Sequence, residues 1–336
     1  MGDLQPMSEP FARDLNSLTH HQLEGGIEQA GDLVHLGYVA DRIPQLGRAD
    51  PRWLAACVHR RNQPDLVAGE AATQRFTLMS AVKPFLLLYL LHHLGSSAVR
   101  KRVGVAPSMA AFHSLDQLIA DGGRPRNPMI NSGAITLAGA LPGQDGSQCC
   151  QILCRWLNQA AGCQLQLDEA TLASVRALKN DRNRAIALYL KESGYLEDIE
   201  IAIDTYNQIC CLAGTVADLA KLGALLAFEA DATNSGATDL GVTDLGVTDF
   251  GAIARSHRQL VNAVMLTCGL YEASSEFAIR IGLPVKSGIS GALLAVVPNQ
   301  GAIACYSPAL DTTGNPLAAL SLVEYLSHNL GLSLFS

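Results

Sequence analysis

Ser80-Ala81-Val82-Lys83 sets a hydroxyl three residues before an amine, at the head of an apolar stretch. Residues three apart share one face of a helix, so the amine reaches the hydroxyl. A serine hydroxyl is a weak nucleophile until a base removes its proton. A lysine serves as that base only when burial or nearby positive charge lowers its pKa. The apolar run at 84–91 supplies the burial. The chemistry such a pair performs is acyl transfer: attack on a carbonyl carbon, an ester on Ser80, then release by water. Taken alone the spacing is common, and Ser80 would be a helix N-cap before an ordinary first-turn lysine.

A second element answers the first. Lys286-Ser287-Gly288 leads into a strand expected at 289–297. Serine hydrolases of the penicillin-recognising type set a Lys-[Thr/Ser]-Gly strand across the site from the nucleophile helix. A backbone N–H there helps hold an oxyanion. A third element is Pro125-Arg126-Asn127-Pro128-Met129-Ile130-Asn131-Ser132-Gly133, polar side chains bracketed by prolines on a stiff loop. Such a loop suits substrate positioning. Individually, Asn183 reads as the N-cap of a helix at 184–191, and Tyr206 and Tyr271 as buried aromatics.

The elements that must position these groups follow from periodicity. Helical spacing over 18–39 is interrupted at Gly25-Gly26. Strands are predicted at 53–59 and 66–69 around a turn at 62–65. A helix is predicted from Ser80 to Leu94, closed by Gly95, and others at 149–161, 184–191 and 216–230. Strands at 289–297 and 302–306 flank a Pro298-Asn299-Gln300-Gly301 turn, and a helix spans 317–330. Residues 236–250 repeat Gly-Ala/Val-Thr-Asp-Leu/Phe three times, too few units for a solenoid, and are expected to form a surface loop. The order strands, helices, strands, helix predicts an α+β fold. An antiparallel sheet is built from both chain ends, flanked by helices, with an all-helical domain inserted. The expected division is a tail at 1–16, a sheet domain of 17–79 plus 252–336, a helical domain at 80–235 and the repetitive loop at 236–251.

Of the 336 residues, 49% are hydrophobic and 16% charged, enough to bury a core without disulfides or metal. The net charge of −7, with no Lys/Arg block, argues against nucleic-acid or anionic-membrane partners. The longest apolar stretch is too short to span a bilayer, and the polar N-terminus does not resemble a secretory signal. Nine cysteines, several within apolar runs, fit a reducing cytoplasm. The cysteines and nine histidines lack the paired short spacings of zinc sites. No metal or organic cofactor is expected.

Together the motifs resemble the serine-dependent glutaminases, the bacterial and animal-mitochondrial family, whose fold is of the β-lactamase/DD-peptidase kind. The matching stretches are Ile43-Pro44-Gln45-Leu46, Ser80-Ala81-Val82-Lys83-Pro84, Asn127-Pro128-Met129-Ile130-Asn131-Ser132-Gly133-Ala134-Ile135 and Asp181-Arg182-Asn183. Cys268-Gly269-Leu270-Tyr271 and Gly282-Leu283-Pro284-Val285-Lys286-Ser287-Gly288 complete the set. The resemblance implies hydrolysis of L-glutamine to L-glutamate and ammonia. Ser80 would be the nucleophile, Lys83 its base, and Tyr271 a proton relay to the leaving ammonia. Asn131, Asn183 and Tyr206 would hold the substrate. Ile289, where valine is usual, would act through its backbone N–H, sharing the oxyanion with that of Ser80. The resemblance also implies a small-molecule substrate and a homo-oligomer, dimer or tetramer.

Two positions depart from that pattern. Arg42 stands where the family has a tyrosine lining the substrate site. The glutamate that pairs with the α-ammonium of glutamine is absent. Val175 replaces it if Ser174 is the anchor, and Arg176 replaces it if Asn183 is. Met79, Met109 and His113 are lesser departures. An amidase for an amide without a free α-amine, or a weakened homologue with a binding role, are the alternatives these changes raise.

Overall fold

The computed structural model describes residues 14–178, 180–228, 241–243, 246–248 and 252–335. Among the described residues ten strands run in chain order: β1 Ala55–Arg60, β2 Leu66–Ala68, β3 Phe76–Thr77, β4 Gln166–Leu167, β5 Leu212–Gly214, β6 Gly241–Thr243, β7 Gly246–Thr248, β8 Val285–Ser287, β9 Ala292–Val297 and β10 Gly301–Tyr306. Five of them form one sheet in the order β2-β1-β10-β9-β8. Each neighbouring pair in it is antiparallel, with Ala55 opposite Tyr306 and Lys286 opposite Leu294. The sheet therefore joins the two ends of the chain, as the strand order predicts.

Period-two alternation splits this sheet between two cores. Ala56, Val58, Leu293, Ala295, Ile303 and Cys305 face one core, shared with Leu23 and Leu322 from the helices His20–Gly31 and Leu317–Asn329. Cys57, Leu294, Val296 and Ala304 face the other, which continues through the helices Lys83–Arg102, Gly146–Ala161, Ile199–Cys210 and Val216–Ala227. The last of these packs directly on β1, β9 and β10. A second, three-stranded sheet, β3-β5-β4, holds the chain just before Ser80, where Leu78 N–H donates to Leu212 O at 2.8 Å.

Several expectations need correction. Gly25-Gly26 does not interrupt a helix, because His20–Gly31 runs through both behind a Thr19/Gln22 capping box. Gly26 is there for packing: a Cβ would lie 2.8 Å from Leu322 Cδ1 and 3.0 Å from the Tyr325 ring. The helix stops at Gly31, short of residue 39. Gly95 takes φ +78° and breaks the nucleophile helix where expected, yet helical chain resumes to Arg102. Within the 236–250 repeat, where a surface loop is expected, β6 and β7 pair as a short antiparallel ribbon; its remaining residues lie outside the described ones. The strand carrying Lys286 is β8 itself. Ile289 falls in the turn between β8 and β9, closed by Gly291 N–H to Gly288 O at 2.9 Å.

That turn explains Gly288. The chain leaving β8 passes against the start of the Ser80 segment so closely that a Cβ on Gly288 would lie 2.5 Å from Leu78 O. That carbonyl accepts the Ala81 N–H at 2.9 Å and cannot yield cheaply. Gly288→Ala is expected to destabilise the protein by about 1–3 kcal/mol, the usual cost of overpacking. Urea denaturation measures it, and an unchanged midpoint would show that the two segments are free to part.

Candidate active site

Ser80 sits on a 3₁₀ turn, Met79–Val82, and the Lys83 N–H closes that turn on Ser80 O. In 3₁₀ geometry residues three apart eclipse one another. Ser80 and Lys83 therefore stand on one face of the turn. Met79 takes φ +45°, a left-handed conformation unusual for a non-glycine residue. It lifts Ser80 out of β3's line and onto the floor of a cavity.

Lys83 is 1% exposed. Its Nζ donates to Met129 O and to Asn131 Oδ1, both at 3.0 Å. Burial disfavours the charged amine and lowers its pKa to about 8. Asn131, at the head of the helix Asn131–Ala138, is the hub of the network. Its Oδ1 also accepts the Tyr206 hydroxyl at 3.0 Å, and its Nδ2 donates to Asn183 Oδ1 at 3.0 Å. Asn183 lies in the first turn of the helix Asp181–Glu192, whose N-cap is Asn180; Asn183 itself is not the cap. The Tyr206 ring faces Lys83 Nζ at 5.7 Å, and burial holds its hydroxyl protonated.

Tyr271 opens a 3₁₀ turn with φ +56° and is buried. Its hydroxyl completes no hydrogen bond of normal geometry among the described residues. Burial raises its pKa to about 12, while the neighbouring hydroxyls of Ser80 and Ser287 pull the other way. Behind it lies Lys286, 0% exposed, with Nζ 4.3 Å from the Tyr271 ring centroid. Lys286 donates to Gly269 O at 2.9 Å and Ser287 O at 2.6 Å. Burial, then the charge of Lys83, push its pKa well below that of an ordinary lysine.

Ser80, Asn131, Asn183, Tyr206 and Ile289 line a single cavity of about 250 Å³. Lys83 and Tyr271 stand immediately behind it, joined through Asn131 and beside Ser80. All seven sequence-predicted residues therefore meet in one place. Val175 lines the cavity too, whereas Arg176 is exposed and pairs with Asp204 at 2.7 Å. Val175 is thus the residue that faces the cavity in this stretch. Arg42, Arg182 and His113 complete the rim. The Lys286 side chain was missed, since the Lys-Ser-Gly motif was used only for its backbone. A lysine alternating into an apolar strand was the signal. Phe112, whose ring lies 4.6 Å from that of Tyr271, and Cys210 carried no signal by type or spacing.

A family model described as glutaminase matches residues 37–335. The chain belongs to the glutaminase family. It is 42% identical to a glutaminase of Synechocystis over 93% of this chain and 89% of that one. It is 32% identical to a glutaminase of Clostridium tetani over 94% and 99%. Among solved structures, a Bacillus subtilis glutaminase in covalent complex with 5-oxo-L-norleucine superposes with TM-score 0.80 at 30% identity, over 94% of this chain and 99% of that one. The fold is accordingly the β-lactamase-like one, antiparallel sheet with flanking helices. No helix among the described residues is long and apolar enough to cross a membrane.

A base must be neutral to accept a proton, and Lys83 loses its charge as pH rises through about 8. kcat/KM is therefore expected to climb with pH to a plateau above that value. Lys83→Arg keeps a permanent charge and should lower kcat by about 10²–10⁴-fold at every pH. A pH–rate profile of both proteins checks this, and a flat wild-type profile between pH 6 and 9 would contradict it.

Proposed function

We propose that this protein hydrolyses the terminal carboxamide of L-glutamine, releasing L-glutamate and ammonia through an acyl-enzyme on Ser80. The observation that carries the reading is the convergence of Ser80, the buried Lys83 amine and Tyr271 on one cavity of about 250 Å³. That size, just under the usual range for ligand pockets, suits a small amide. Neutral Lys83 takes the Ser80 proton as the oxygen attacks the amide carbon. The backbone N–H groups of Ser80 and Ile289 receive the oxyanion. Tyr271, protonated at neutral pH, donates to the departing nitrogen, and water then frees the acid. Asn131, Asn183 and Tyr206 orient the substrate. They are held to one another or to Lys83 by hydrogen bonds, so their positions are set before substrate arrives.

The sheet-bearing portions, 17–79 and 252–336, supply β8 and the Ile289 turn, while the 80–235 portion supplies the nucleophile and the asparagines. We read these as two domains meeting at the cavity, in a cytoplasmic homo-oligomer of two or four chains. The nine free cysteines support the compartment.

The test is ammonia release from L-glutamine by wild type and by Ser80→Ala. The variant is expected to lose at least about 10³-fold in kcat, in the range seen when a catalytic serine is removed. Hydrolysis by Ser80→Ala at the wild-type rate would place the chemistry elsewhere.

A further inference from the structure

Behind Tyr271 runs a chain of hydrogen bonds that the proposed reaction does not use. It starts at Asp311, in the connection between β10 and the helix Leu317–Asn329. Asp311 Oδ1 accepts the backbone N–H groups of Thr313 and Asn315 at 2.8 and 2.9 Å, and the Thr313 hydroxyl at 2.7 Å. Thr313 Oγ1 accepts from Asn315 Nδ2 at 2.8 Å, and Asn315 Oδ1 accepts the Ser287 hydroxyl at 2.6 Å. Asn315 and Ser287 are both 0% exposed, and Ser287 lies beside the Tyr271 hydroxyl.

Each link has only one direction. A carboxylate has only acceptors, and a hydroxyl has one hydrogen. Thr313 spends its hydrogen on Asp311, so its oxygen faces Asn315 as an acceptor and draws Nδ2 toward it. Leu270 O, which can only accept, takes Nδ2 as well, at 3.4 Å. The amide oxygen is thereby turned to Ser287, and Ser287 spends its single hydrogen there. Ser287 then donates nothing to the Tyr271 oxygen, where a donor would favour the phenolate. The same amide braces the backbone. Gly269 O accepts Lys286 Nζ at 2.9 Å, Leu270 O accepts Asn315 Nδ2, and Tyr271 O accepts Ser274 Oγ at 2.7 Å. Three successive carbonyls are thus tied to buried side chains, ending at the residue whose φ is +56°. Such a conformation persists only where its surroundings over-determine it.

We propose that Asn315 is a positioning residue for this reaction: it fixes the Tyr271 turn and holds the Ser287 hydrogen away from Tyr271, so that the tyrosine proton stays free for the departing nitrogen. The inference rests on the Ser80 acyl-enzyme reading with Tyr271 as its acid. Asn315 is not part of the cavity lining and acts through Ser287 and Leu270.

The experiment measures kcat/KM for L-glutamine and for the γ-methyl ester of L-glutamate, with Asn315→Ala made alone and together with Tyr271→Phe. Methoxide leaves a tetrahedral centre with far less help from an acid than an amide nitrogen needs. Asn315→Ala is expected to lower kcat/KM for glutamine by at least about tenfold, the scale of one buried hydrogen bond, and that for the ester by less than about threefold. With Tyr271→Phe already in place it should cost less than about twofold more, because residues acting through one another are not additive. A packing defect would lower both substrates alike in both backgrounds, and that result would overturn the inference. Thr313→Val, at an exposed position, cuts the chain without opening the core and decides the matter if Asn315→Ala does not fold. It should lower kcat/KM for glutamine by about two- to fivefold and spare the ester. Equal loss on both substrates, or no loss, would contradict the proposal. If Tyr271→Phe alone leaves glutamine hydrolysis unchanged, the acid is elsewhere, and the reading of Tyr271 falls with the inference. If Tyr271→Phe is impaired and Asn315→Ala costs as much on top of it, only the inference falls.

Discussion

An amine buried without a carboxylate is the constraint on which this site depends. Lys83 is enclosed in the apolar core and is offered only a backbone carbonyl and a carboxamide oxygen, Met129 O and Asn131 Oδ1. Those acceptors satisfy its N–H groups but do not neutralise a charge. The protein thus withholds the counter-ion that would make Lys83 an inert cation, and desolvation does the rest. A second amine, Lys286, is enclosed nearby, and the charge of Lys83 adds to burial in lowering the pKa of Lys286. Between them the ring of Tyr271 faces Lys286, and its hydroxyl stands by Ser80.

Holding these groups together requires segments from distant parts of the chain to approach more closely than side chains allow. Gly288 lets the end of β8 lie against Leu78 O. Met79 and Tyr271, both beside Ser80, carry left-handed backbone. Such conformations cost of order 1–3 kcal/mol each and persist only where surrounding packing over-determines them. Here the packing is the shared core, in which Leu78, Met79 and Ala81 touch the same buried cluster as β9, β10 and the nucleophile helix. The sheet's register therefore helps set the geometry around the cavity, with Lys286 and Ser287 on its edge strand standing beside Tyr271.

Much of this was legible because it is local. Ser-x-x-Lys followed by an apolar run encodes both the lysine and its burial. The β-rich run before Pro298-Asn299-Gln300-Gly301 and the apolar run after it encode the hairpin of β9 and β10. Gly25-Gly26 misled because glycine has two uses, and only the partner helix with Leu322 and Tyr325 shows that close packing was the one in play. Lys286 was recognised as a motif, yet its side-chain role depends on Gly269 O and the Tyr271 ring, which the fold alone brings near. The choice between Val175 and Arg176 could not be made by counting, because one extra residue precedes Asp181. It became clear only when Arg176 was seen to turn outward to Asp204.

The proposed reaction requires Lys83 to be largely uncharged at mildly alkaline pH, and that can be measured without substrate. With ¹³C-ε-labelled lysine and a Lys83→Met variant to assign the signal, the side-chain resonance of Lys83 can be titrated by NMR in the intact protein. A midpoint at about 8 is the predicted result. A midpoint at the ordinary lysine value of about 10.4 would mean the amine remains charged, and Ser80 would be left without its base.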